Sequence, residues 1–153
     1  MNGSVFCKES FMTYKEITEI LKQILGKKLV KITSACDMLM LTFEDCGALH
    51  IQCICRICKD EEIVITNEDY HLDSEEAYFE KLNKSADLFC GQTALEIALL
   101  PLINLTIRLS DGIEVEVIND VAESDGHEYE LWRFIDKGKR HLVVTDKTAE
   151  LLG

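Results

Sequence analysis

LMLTFEDCGALHI (39–51) and, 66 positions further on, LTIRLSDGIEVEV (105–117) carry the pattern that decides the fold. Leu39, Leu41 and Phe43 alternate with Met40 and Thr42, and Leu49 and Ile51 follow after a turn. That two-residue period places one row of apolar side chains on the inward face of a strand. The second stretch repeats it without a gap: Leu105 falls on Leu39, Ile107 on Leu41, Leu109 on Phe43, Asp111 on Asp45, Val115 on Leu49 and Val117 on Ile51. Ser110-Asp111-Gly112 is a hairpin turn, because glycine takes the positive φ that a tight reversal requires. In Asp45-Cys46-Gly47 the glycine is displaced by one, which predicts a longer or bulged turn.

Outward from these hairpins the correspondence continues. Val30 and Ile32 alternate with Lys31 and Thr33 and match Leu95 and Ile97, with Gly26 on Gly91. Downstream, Cys53, Cys55 and Ile57 alternate with Gln52, Ile54 and Arg56. After an insertion in the second half (NDVAESDGH, 119–127), Ile54, Cys55, Arg56 and Ile57 lie opposite Leu131, Trp132, Arg133 and Phe134. Ile63 and Ile65 mark a further short strand. The chain is expected to be an α+β protein: two related antiparallel β units, about 24–69 and 89–148, forming one sheet or a partly open barrel.

Two helices complete it. Tyr14, Ile17, Ile20, Leu21, Ile24 and Leu25 recur at helical spacing, so a helix is predicted over about 14–25. Thr13 and Glu16 form its capping box, Met12 staples onto Ile17, and Gly26 stops it. A linking helix at about 75–86 has Asp73 or Ser74 as cap, Glu75 and Glu76 in its first turn and Lys81 and Lys84 late, as the helix dipole favours. Its apolar face is Tyr78, Phe79, Leu82 and Ala86. With 153 residues, 47% of them hydrophobic, residues 1–153 are read as a single domain that buries its own core.

A strand running into a Phe/Leu-x-Asp-Gly turn, an alternating strand and then a Trp-Arg-aliphatic segment, given twice over about 24–145, resembles a group of small uncharacterised bacterial cytosolic proteins. This sequence departs from that pattern in its first half, where Cys46 stands for the turn glycine and Cys55 for the tryptophan. The resemblance implies an architecture and a cytoplasmic setting, and no activity.

The formal charge is −12, which argues against nucleic acid and anionic membrane as partners, since both need a basic face. No basic segment followed by an apolar one opens the chain, and no apolar run has the length of a membrane span. Charge is unevenly spread: residues 1–60 sum to +1 and residues 61–153 to −13. Nine carboxylates fall between Asp60 and Glu80, and eight between Asp111 and Glu130, with no Lys or Arg in either stretch.

Three chemistries compete for this sequence. The acid is the first: Glu114 and Glu116 alternate with Val115 and Val117, so they stand on the outer face of a sheet, near Asp120, Glu123 and Asp125 of the insertion. Such a patch suits a basic protein partner, and the chain is expected to be a non-enzymatic acidic interaction module, of inhibitor or immunity type. Arg56 and Arg133 occupy matching places and pair with neighbouring carboxylates or take an anion. The second is a metal or thiol-redox site at Cys53, Cys55 and Cys58, with zinc the candidate cofactor. Its spacing lacks the knuckles of structural zinc sites, so these cysteines read as small core residues and no cofactor is expected. The third is a homo-oligomer, a homodimer for example, using an open β edge or the Met38/Met40 surface. The seven cysteines are an odd set in a chain that needs no staples, which fits reduced thiols. His50, His71, His127 and His141 join no nucleophile motif, and no catalytic residue is assigned. Residues 119–128 fail as a calcium loop, because the register puts Val121 and Trp132 where ligands belong.

Overall fold

The computed structural model of the protein describes residues 12–121 and 127–153. Thr13 opens helix α1 (Tyr14–Leu21): its hydroxyl accepts from the Glu16 N–H at 3.1 Å, and the Glu16 carboxylate accepts from the Thr13 N–H at 2.9 Å. The two bonds satisfy donors that a helix start leaves over. The path then tightens into a 3₁₀ turn, Lys22–Ile24, so the predicted helix is α only in its first eight residues. Ile17, Leu21 and Ile24 are buried.

Strands β1 (Leu29–Ala35), β2 (Met38–Phe43) and β3 (Gly47–Ile51) form a meander, followed by the hairpin β4 (Ile54–Lys59) and β5 (Glu62–Thr66). A short helix α2 (Asp69–Leu72), unforeseen in the sequence, precedes α3 (Glu75–Phe89). The Ser74 hydroxyl caps α3 by accepting from the Ala77 N–H at 3.1 Å. Then come β6 (Ala94–Leu100), β7 (Asn104–Leu109), β8 (Ile113–Ile118), β9 (Glu130–Asp136), β10 (His141–Thr145) and β11 (Ala149–Leu152).

The architecture is α+β, with the N-terminal and central helices in place and the strands divided between two antiparallel sheets that close into no barrel. The first sheet has the order β1-β2-β3-β9-β10-β11 and the second β5-β4-β8-β7-β6. The division is made at Gln52 and Cys53, whose N–H groups both donate to the Leu131 carbonyl at 2.8 and 3.1 Å. Here the chain leaves β3, paired with β9, and enters β4, paired with β8. Asn67, buried, pins the corner by donating to Cys53 O at 2.7 Å and accepting from the Cys55 N–H at 3.0 Å.

Residues that align in sequence take corresponding partners. Across β3 and β9, Leu49 faces Phe134, His50 faces Arg133 and Ile51 faces Trp132; across β8 and β4, Val115 faces Ile57, Glu116 faces Arg56 and Val117 faces Cys55. Around Lys28 and Thr93, which bridge, the bonds come in matched pairs. Gly26 N–H donates to Ala94 O and Gly91 N–H to Leu29 O, at 2.9 and 2.7 Å. The helices exchange too, α1 packing on β6 and α3 on β1 and β5. They flank the edges of the two sheets, whose inner faces supply one core that includes Leu41, Phe43, Ile57, Ile107, Val115, Trp132 and Phe134.

Three local expectations are corrected. Val30 is 45% exposed, because a bulge between Leu29 and Lys31 shifts the alternation and turns Leu29 inward in its place, while Ile32 is buried as expected. Phe79 is exposed, and Phe89 and Ser85 join Tyr78 and Leu82 on the buried face of α3. The turn at Asp45 is neither longer nor bulged: three residues separate Phe43 from Gly47, as three separate Leu109 from Ile113, and Asp45 itself takes φ +51°. Gly47 serves a different need. A Cβ there would stand 2.2 Å from the Ile135 carbonyl oxygen, so the close approach of β3 and β9 demands a residue without one.

Candidate functional site

A hollow of about 740 Å³ lies on the outer face of the second sheet. Period-2 alternation puts it there: with Cys55, Ile57, Val115, Val117 and Ile107 committed to the core, Arg56, Cys58, Glu114, Glu116 and Arg108 must face out. They form two cross-strand rows, Arg56 beside Glu116, and Cys58 beside Glu114 beside Arg108. Asp60, Glu61 and Asp111 come from the turns at one end, and Ile63 and Leu95, about half exposed, add apolar surface.

Its charges are partly cancelled. Arg56 Nη2 is 3.2 Å from Glu116, Arg108 Nε is 3.5 Å from Glu96, and Lys59 Nζ reaches Asp111 at 2.8 Å. Among the described residues Asp60, Glu61 and Glu114 have no ion pair, so the face keeps a net negative field. Arg56 Nε is buried without a hydrogen-bond partner. The Cys58 thiol, 3.8 Å from Glu116, is pushed up in pKa by burial and then by the Glu116 charge, which keeps it protonated near neutral pH.

Asp60 and Glu61 make the two-residue turn between β4 and β5, at φ +50° and +68°. A hairpin turn of this kind prefers Asn-Gly, because a Cβ at positive φ crowds the backbone. The chain instead places two carboxylates there, at the mouth of the hollow. Asp60→Asn with Glu61→Gly is expected to stabilise the fold by about 1 kcal/mol, read by urea unfolding. The same pair of substitutions is expected to weaken attraction of a cationic ligand, read as a shallower salt dependence.

Of the residues singled out in the sequence, Glu114, Glu116 and Arg56 meet in this hollow. Asp120 lies elsewhere, beside Gln52, Cys53 and His71 in a small hollow of about 180 Å³. Glu123 and Asp125 lie outside the described residues. Arg133 stands on the outer face of the first sheet. There it donates to both Glu130 carboxylate oxygens, at 3.1 and 2.7 Å, and its Nη1 sits 2.9 Å from His141 Nδ1. The two arginines thus belong to opposite faces, and each pairs with a carboxylate. His50, across the strand from Arg133, has its imidazole pKa lowered by burial and by the guanidinium charge.

The three candidate zinc ligands do not converge. Cys53 and Cys55 are buried, whereas Cys58, three residues after Cys55, faces out. Burial pushes the Cys53 thiol up to about 12 and Cys55 further up, so both thiols are protonated near neutral pH. Among the described residues no group of three His, Cys, Asp or Glu side chains is disposed to hold a metal ion, and no helix is long and apolar enough to cross a membrane. Sequence reading passed over Asp60, Glu61 and Arg108. The two acids belonged to a counted charge run, but only strand pairing reveals that their turn abuts Gly112, where Asp60 N–H donates to Gly112 O at 3.0 Å. No protein-family model, curated protein or solved structure matches the chain.

Proposed function

We propose that the protein is a non-enzymatic interaction module that docks a basic protein partner on the outer face of its second sheet. The observation that carries this reading is the hollow of Glu114, Glu116, Asp60 and Glu61, open to solvent and flanked by exposed Ile63 and Leu95. The carboxylates without an ion pair among the described residues, Asp60, Glu61 and Glu114, steer a cationic surface in, and an apolar margin supplies area that salt does not screen. The strained acidic turn supports it further, since stability alone favours other residues there. In a bacterial cytosol this is the chemistry of an inhibitor or immunity-type protein covering a basic toxin or nucleic-acid-binding protein. The matched strand registers favour an origin by duplication, after which only one unit kept or acquired the acid.

Capture from native lysate on the immobilised protein at low salt is expected to retain a basic protein that elutes as salt rises. The Glu114→Gln, Glu116→Gln variant is expected to hold it about tenfold more weakly, the scale of losing two steering charges at an interface rim. Equal capture by both proteins would refute the reading.

A further inference from the structure

The acidic hollow has a counterpart. On the outer face of the first sheet a second hollow of about 380 Å³ is lined by Ala48, His50, Lys137 and Lys139, and by Asp136, whose carboxylate is neutralised by Arg140 at 2.8 Å. The strand registers make the two hollows equivalent. Ala48 faces Ile135 across β3 and β9 as Glu114 faces Cys58 across β8 and β4, and His50 faces Arg133 as Glu116 faces Arg56. Beyond the strands, Lys137 and Lys139 follow β9 where Asp60 and Glu62 follow β4. The places of Asp60, Glu114 and Glu116 are thus taken by Lys137, Ala48 and His50, whereas Asp111 has an acid, Asp45, as its counterpart. Lys137 is 2.6 Å from Asp45, while Lys139 has no ion pair among the described residues.

We propose that the basic hollow of one molecule receives the acidic hollow of a second copy of this chain. This rests on the reading of the acidic face as a docking surface for basic protein, and names one such surface. Two faces built on the same strand framework, with opposite charge, bring complementary fields to the contact. They lie on opposite outer faces, so the contact is heterologous: each copy offers one donor face and one acceptor face, and association extends head to tail instead of closing as a pair. At physiological ionic strength the screening length is about 8 Å, so the facing hollows dominate over the repulsion between two acidic molecules as wholes.

Sedimentation velocity from micromolar to millimolar concentration tests this. The wild type is expected to sediment faster as concentration rises, and to return to monomer in about 1 M salt, where screening is complete within about 3 Å. Lys137→Glu with Lys139→Glu, which leaves the acidic hollow intact, is expected to remain monomeric. Glu114→Gln with Glu116→Gln, which leaves the basic hollow intact, is expected to do the same. Mixed, the two variants still hold one complementary pair of hollows and are expected to form a 1:1 complex. A wild type that stays monomeric throughout overturns the proposal, as does association that the lysine variant leaves unchanged or a mixture that forms nothing. Loss of lysate capture by the glutamine variant, with a wild type monomeric at every concentration, would retain the docking face and refute only self-association.

Discussion

Trp132→Ala is expected to cost about 3–5 kcal/mol, the range for truncating a large aromatic in a core that relaxes incompletely. Trp132 is fully buried on β9, between Ile51 of β3 and Val144 of β10. It therefore stands where a strand of the second unit enters the sheet begun by the first. Its indole Nε1 is buried without a hydrogen-bond partner, which carries its own desolvation cost. Trp132→Phe keeps most of the volume and removes that N–H, so it is expected to lose much less. Urea unfolding of both variants checks the pair; equal losses would mean that volume at this position matters little.

Gly47→Val is the second large effect, about 3 kcal/mol, because the new Cβ would meet the Ile135 carbonyl at 2.2 Å and neither backbone can yield without breaking the ladder. The corresponding position on β8 is Ile113, opposite Lys59 on β4, where a large side chain is accommodated in the core. A glycine placed at Ile113 is expected to leave a cavity instead, so opposite substitutions at aligned positions both destabilise. Melting temperatures of the two variants, each lowered for its own reason, are the check.

These two residues also mark the boundary of what the sequence makes legible. The Thr13–Glu16 cap, the alternation in 39–51 and 105–117, and the helix from Glu75 are local patterns, and local patterns survive in sequence. The bulge at Val30 is invisible because one extra residue reverses the faces without changing residue types. The exchange of strands is invisible for another reason: whether β4 continues the sheet of β3 or leaves it depends on two bonds to Leu131, far along the chain. Gly47 looked like a turn glycine, and only the strand beside it discloses the close approach. At the site, period-2 alternation places Glu114 and Glu116 outward, but only the pairing of β8 with β4 sets Arg56 beside Glu116. Asp60 and Glu61 reach the same hollow through a hairpin turn whose position follows from pairing, and Asp120 is carried away by the path of the chain after β8.

Where a cation docks decides whether the acidic hollow is a binding face. Amide chemical-shift mapping during titration with a defined oligolysine at low salt reads this residue by residue. Shifts are expected to concentrate in Arg56–Glu61 and Asp111–Glu116, to reverse with salt and to diminish in the Glu114→Gln, Glu116→Gln variant. Shifts spread evenly over all the acidic residues, or gathered on β1, β2 and β3, would contradict that.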